Sequence, residues 1–232
     1  MKRVFPFVLG GFVCLCLGCG SGTSSAPSGL KSNAFKKGGF ARILNASGTV
    51  VGLSVGTSTI TSSCPPGGST SFSLVARGTK DVIVREGANE VFKEKTTIES
   101  EKTITVVAYE AGGKLAVKIL PDLPRYGDSA GAIVQVANFA GQGLGATGSG
   151  GADLGSNLAM GAVGPVVKAG AGSFSADIVK GGKKVASASL ALEDGQAYTV
   201  LIMPGPQPGS IRAAIHQNTV KMEASVGGIT PN

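Results

Sequence analysis

A stretch of thirty residues in this chain has an echo further along it. The stretch from Gly78 to Val107 returns without a gap as Gly172 to Leu201, at an offset of 94 positions. Gly78 falls on Gly172, Gly87 on Gly181, Val91 on Val185, Ile98 on Leu192, Glu99 on Glu193, Thr105 on Thr199 and Val106 on Val200. Two glycines, an alternating apolar run, an acidic turn and a Thr-Val strand recur together, so one structural unit is expected twice. The 232 residues therefore divide into two units of about 90 residues, each large enough for one small core.

The composition selects the kind of unit. Charged residues make up 15 % of the chain, tryptophan is absent, and glycine fills 37 positions. Short strands and turns fit that balance better than helices do. No stretch carries a 3.6-residue apolar period. Phe40 to Ala46 and Val50 to Val55 alternate with period two around Ser47-Gly48-Thr49. Five more runs follow: Thr70 to Ala76, Asp81 to Arg85, Glu90 to Lys95, Thr103 to Tyr109 and Leu115 to Leu120. Seven short strands about ten residues apart predict an antiparallel sandwich of immunoglobulin-like size.

The proline-broken run Pro121 to Asp128 then separates the units. Ile133 to Phe139 repeats the opening strand, with Val136 and Asn138 matching Ile43 and Asn45. Residues 141 to 172 read as a long glycine-dense loop with one or two weak strands. Strands resume at Ser173 to Val179, Lys184 to Leu192, Ala197 to Met203 and Ile211 to His216. The expected organisation is all-β: a signal segment over 1–18, a Ser/Gly/Pro linker over 19–38, sandwiches over 39–121 and 132–217, a linker over 122–131 and a tail over 218–232.

The N-terminus supplies an expected address. Lys2 and Arg3 precede an apolar run from Val4 to Leu17, then Gly18-Cys19 and a polar tract. That is the layout of a bacterial secretion signal. The apolar run falls short of the about 20 residues that a membrane span requires, which disfavours a retained anchor helix. Leu17-Gly18-Cys19 resembles the lipobox of bacterial lipoproteins, which implies lipidation at Cys19 and a membrane partner reached through acyl chains. Gly20 stands where an aspartate would resemble an inner-membrane retention signal, so an outer-membrane or surface location is expected. Cys14 and Cys16 would leave with the signal, and Cys64 would remain as an unpaired loop cysteine.

Ala41-Arg42-Ile43-Leu44-Asn45-Ala46-Ser47 and Leu192-Glu193-Asp194-Gly195-Gln196-Ala197-Tyr198-Thr199-Val200 together resemble the bacterial domain-of-unknown-function family numbered 4397. The resemblance spans about residues 40 to 217 and implies exported, often lipid-anchored β-sandwich modules in tandem. It carries over no ligand or catalytic residue.

Chemistry-bearing motifs are few. Gly127-Asp128-Ser129-Ala130-Gly131 has the G-x-S-x-G spacing, and the single histidine, His216, follows with Asp153, Asp177 and Asp194 between them. A nucleophile elbow needs a strand before the serine and a helix after it; a proline-broken linker and a strand stand there instead. Gly143 to Gly148 has the G-x-G-x-x-G spacing, but Ser149-Gly150-Gly151 cannot open the helix that a dinucleotide phosphate needs. One histidine and one remaining cysteine give no zinc site, and no acidic cluster has EF-hand spacing. The pairs Glu99 with Glu101 and Glu193 with Asp194 read as hairpin residues. No cofactor is expected.

The net charge of +7 falls to +5 without Lys2 and Arg3. Lys36-Lys37 and Lys183-Lys184 are far apart, so specific nucleic-acid recognition is not indicated. The expected function is a non-enzymatic, lipid-anchored envelope protein that binds a glycan or protein through exposed loops. The alternative is an envelope serine hydrolase using Ser129 and His216.

Overall fold

The computed structural model describes residues 38–120, 122–123 and 131–218. Cys19 and Ser129 lie outside them. The described chain is all-β, with a three-residue 3-10 turn at Ser149–Gly151 and no α-helix. Eight strands form the first unit: β1 (Gly38–Asn45), β2 (Val51–Val55), β3 (Ser58–Cys64), β4 (Ser73–Ala76), β5 (Gly78–Glu86), β6 (Asn89–Ile98), β7 (Thr103–Ala111) and β8 (Lys114–Leu120). Eight more form the second: β9 (Ala132–Asn138), β10 (Leu144–Gly148), β11 (Asp153–Leu158), β12 (Val167–Ala169), β13 (Gly172–Lys180), β14 (Lys183–Leu192), β15 (Ala197–Pro204) and β16 (Ile211–Gln217).

The repeat in sequence is a repeat in topology. The first unit pairs a β4-β1-β7-β8 sheet with a β3-β2-β5-β6 sheet; the second pairs β12-β9-β15-β16 with β11-β10-β13-β14. Each strand of the first has its counterpart, in the same place, in the second. One core lies inside each pair of sheets. Ile43, Leu53, Val82, Val84 and Val106 fill the first, and Val136, Leu144, Ile178, Tyr198 and Val200 the second.

Four expectations need correction. The sandwiches are not wholly antiparallel: β1 runs parallel to β7, and β9 to β15, at the centre of their sheets. Period-two alternation is the same for either direction, and the intervening strands of the other sheet supply the crossover that a parallel pair needs. Each unit has eight strands, because β3 is a polar edge strand with no apolar alternation to announce it. Residues 141 to 172 hold three strands, β10 to β12, two of them at sheet edges where a core-facing stripe is dispensable. Cys64 closes β3 and is buried in the first core, 2 % exposed, so it is not a loop cysteine.

The two sandwiches also bury a face against each other. All eight residues of β1 and all seven of β9 are buried, which a strand achieves only with both faces covered. Leu44, Ala46, Val107 and Tyr109 of the first unit meet Ala137, Phe139, Leu201 and Met203 of the second in one apolar cluster. These are the same positions of the repeat, so the surfaces meet as like against like, the geometry of an isologous contact. The rings of Tyr109 and Phe139 lie 4.9 Å apart at 52°, a favourable tilted aromatic contact. The described sheets thus form four stacked layers.

Turns from each sandwich reach the other. Gly67 has φ +72°, and a Cβ there would run into the Arg212 guanidinium of β16. Gly161, its repeat counterpart, has φ +76°, and a Cβ there would stand 2.9 Å from the Tyr109 hydroxyl. Glycine is required at both positions by backbone angle and by close approach. After β8, Leu123 packs with Ile133 and Ala197 of the second unit, while Asp122 accepts hydrogen bonds from the Thr103 backbone and hydroxyl.

Because the middle layers share one apolar cluster, Leu201→Ala is expected to cost about 3 kcal/mol, in the range for a buried leucine truncation. Calorimetry should record one transition moved to lower temperature as a unit. Two separable transitions, only one of them shifted, would contradict a shared core.

Candidate functional site

The polar residues with the most chemical potential converge between the middle sheets. Alternation along β1 sends Ala41 and Ile43 into the first core and Arg42 the other way, toward the second sandwich. Arg42 is fully buried. Its Nε donates to Thr105 Oγ1 at 3.1 Å and its Nη2 to Asn218 Oδ1 at 2.6 Å, while its guanidinium lies 4.4 Å from the centre of the Phe72 ring. Asn218 Nδ2 in turn donates to Thr199 Oγ1, and Thr103 Oγ1 donates to the Asn218 carbonyl at 3.1 Å. Thr105 and Thr199 are repeat counterparts, so the first residue after β16 ties one sandwich's threonine to the other's. Burial lowers the Arg42 pKa from 12.5 to about 9, which leaves it charged at neutral pH.

His216 belongs to this neighbourhood. It lies beside Thr199 in the β15–β16 register and is half-buried. Burial, and then the positive charges of Arg42 and Arg212, hold its pKa down at about 3. The imidazole is neutral at physiological pH, and a base that weak takes little of a hydroxyl proton. The three aspartates named with it are spent separately. Asp194 accepts from the Gly131 backbone at 2.7 Å, Asp153 from the Gly155 backbone at 2.9 Å, and Asp177 pairs with Lys184 at 2.7 Å. The described residues therefore assemble no Ser-His-Asp relay.

The other sequence motifs resolve into scaffold. Most of the Gly143 to Gly148 run is β10, and no α-helix follows it. Glu99 and Glu101 stand in the β6–β7 turn, Glu193 and Asp194 in the β14–β15 turn. Burial pushes the Cys64 thiol up, away from the thiolate that a reactive cysteine needs. Among the described residues, no group of three His, Cys, Asp or Glu side chains is placed to hold a metal ion, and no helix is long and apolar enough to cross a membrane.

Asn45 and Asn138, matched by the repeat, each organise the loops at one end of a sandwich. Asn45 Nδ2 donates to the Thr49 and Cys64 carbonyls, and its Oδ1 accepts from the Ser47 backbone. Asn138 Nδ2 donates to the Gly141 and Leu158 carbonyls, and its Oδ1 accepts from the Ala140 backbone. Both are fully buried, so these side chains replace water for loop carbonyls that would otherwise be orphaned.

An open cleft of about 350 Å³ lies at the end of the second sandwich that Asn138 organises. Gly141 and Leu144 form one side, the Pro204 to Ser210 segment the other, with Ile211 and Lys180 completing the lining. The first sandwich closes the equivalent hairpin with Gly112-Gly113 alone. The longer proline-rich connection of the second sandwich is brought by the fold to line one cleft with Lys180.

No protein-family model matches this sequence, and no curated protein matches it. Among solved structures, the chain is similar to the crystal structure of CBMbc (family CBM26) from Eubacterium rectale Amy13K in complex with maltoheptaose. The identity is 12 %, the match covers 78 % of this chain and 98 % of that one, and the TM-score is 0.26.

The environment of His216 gives a pH dependence with a defined sign. A histidine whose pKa is about 3 when folded and about 6.5 when unfolded contributes stability that is full above pH 6.5 and is lost as pH falls toward 3. Unfolding measured at pH 7 and pH 5 should differ by about 2 kcal/mol on this account, and His216→Gln should remove most of that difference. In NMR titrations the single imidazole should remain neutral at pH 5; a midpoint near 6.5 would show that neither burial nor the charges of Arg42 and Arg212 govern it.

Proposed function

We propose that this chain is a non-enzymatic cell-envelope protein that is lipid-anchored through Cys19 and presents its two sandwiches as one rigid binding body. The observation that carries the reading is where the reactive side chains went. Arg42, Thr105, Thr199 and Asn218 are spent joining the sandwiches, His216 is held neutral beside them, and the exposed surface is left to turns and sheet faces on a rigid scaffold. Such a scaffold binds well, and the described residues assemble no machinery for bond cleavage. A serine hydrolase built on Ser129 would have to draw on His216, whose pKa of about 3 makes it a poor base.

Of the two partner classes, a protein fits the surface better than a glycan. Among the described residues no phenylalanine or tyrosine is exposed; Phe92 and Tyr109 are half-buried and the rest are buried. The described surface therefore offers no open ring on which a sugar face would stack. The resemblance to the 4397 family and the lipobox-like Leu17-Gly18-Cys19 support an exported protein tethered by the polar tract from Gly20 to Gly38, on the outer membrane or the cell surface.

Two measurements test the reading. Cys19→Ala should abolish incorporation of labelled palmitate in a bacterial host and release the processed protein from membranes, because acyl chains supply the apolar surface that holds it there. Membrane retention of the mutant, with no label in the wild type, would sink the lipoprotein assignment. The mature protein should also be captured by immobilised envelope fractions in a way that protease treatment of those fractions destroys. Capture lost to glycosidases but resistant to protease would replace the protein partner with a glycan.

A further inference from the structure

Residues 131–218 hold five basic side chains, and three of them, Lys180, Lys183 and Lys184, stand within five residues at the β13–β14 hairpin. Lys184 is taken by Asp177 at 2.7 Å. Lys180 and Lys183 face each other directly across the hairpin ladder. Like charges in that relation oppose sheet pairing, and the first sandwich avoids them, placing Glu86 opposite Asn89 at the equivalent turn. The second sandwich thus keeps a local electrostatic cost that the shared scaffold does not need. Lys180 lines the 350 Å³ cleft and is paired in register with Leu144 on its other side.

The opposite wall is preformed. Ser210 Oγ donates to the Gln207 carbonyl at 2.6 Å and accepts from the Gln207 backbone at 3.1 Å, and the Gly205 backbone donates to the Ser210 carbonyl at 2.8 Å. Three prolines, Pro204, Pro206 and Pro208, restrict the same segment, so little conformational entropy remains to be lost on binding. The lining mixes apolar groups, chiefly Leu144, Ile211 and the proline rings, with the polar Gln207, Ser210 and backbone, and Lys180 is its one charged group. No aromatic ring lines it.

We propose that this cleft is a docking site for a peptide segment of a partner protein in which an acidic residue adjoins an apolar one. The carboxylate lies between Lys180 and Lys183, relieving their repulsion, and the neighbouring apolar side chain enters between Leu144 and the proline wall. The proposal rests on the reading of the chain as a binding protein and locates that binding.

The test uses the full mature chain and a fluorescein-labelled heptapeptide of alternating glutamate and leucine, followed by anisotropy. A peptide with lysine for glutamate, one with serine for leucine, and an oligogalacturonate serve as comparisons. Binding is expected for the glutamate-leucine peptide alone, weakening as salt is raised. Lys180→Glu combined with Lys183→Glu should weaken it about tenfold or more, as expected for reversal of charges beside a carboxylate. Gly141→Leu should also block it. A Cβ at Gly141 meets nothing within 4 Å and the backbone there is not left-handed, so that variant narrows the cleft while its unchanged melting curve reports an intact fold.

Equal binding by the wild type and both folded variants would overturn the site. Absence of peptide binding would overturn it too, and binding of the oligogalacturonate in its place would overturn the peptide class. Capture by envelope fractions that survives in both variants would leave the broader binding function standing while removing this cleft from it.

Discussion

A guanidinium without access to water sits at the centre of this molecule, and the arrangement of the four sheets follows from satisfying it. Arg42 extends from a strand of the first sandwich, and Asn218, which accepts its hydrogen bond, follows the last strand of the second. Removing either partner would strand buried polar groups at a cost of several kcal/mol. The network therefore acts as a specificity device. The apolar cluster around Leu44, Val107, Phe139 and Leu201 supplies attraction between the middle sheets, while Arg42, Thr105, Thr199 and Asn218 fix which residues meet.

The near-symmetry of the interface has a physical use. Equivalent positions of a repeat carry similar apolar surfaces, so two copies in one chain are already complementary when they turn face to face. Exchange of turns completes the contact, with Arg212 under Gly67 and the Tyr109 hydroxyl beside Gly161. The exact positions where the copies differ are the ones that make the pair unequal: Arg42 stands opposite Gln135 in the repeat, and Asp122 corresponds to Asn218. The first sandwich brings the cation and the segment after β16 brings an acceptor beyond its own Thr105, which a perfect repeat could not do.

This division also separates structure from function. Arg42 and the threonines and asparagine around it are committed to the interface, and His216 is held neutral first by burial and then by the charges of Arg42 and Arg212. The second sandwich departs from the first most clearly at its loop ends, with the Pro204 to Ser210 connection and the lysine hairpin. Binding features placed there can vary without disturbing the shared core, which is the usual relation of loops to a β scaffold.

The sequence by itself determined the two-unit organisation and the all-β class, because glycines at turns and apolar alternation are local signals that survive duplication. Asn45 and Asn138 were legible as matched positions but not as loop organisers. Strand direction, the polar edge strands β3 and β11, the burial of Cys64 and the convergence of Arg42 with Asn218 were decided only by the tertiary structure. Each depends on which distant segment lies alongside. Alternation reports that a face is buried and says nothing of what buries it, and no local signal links residues 176 positions apart.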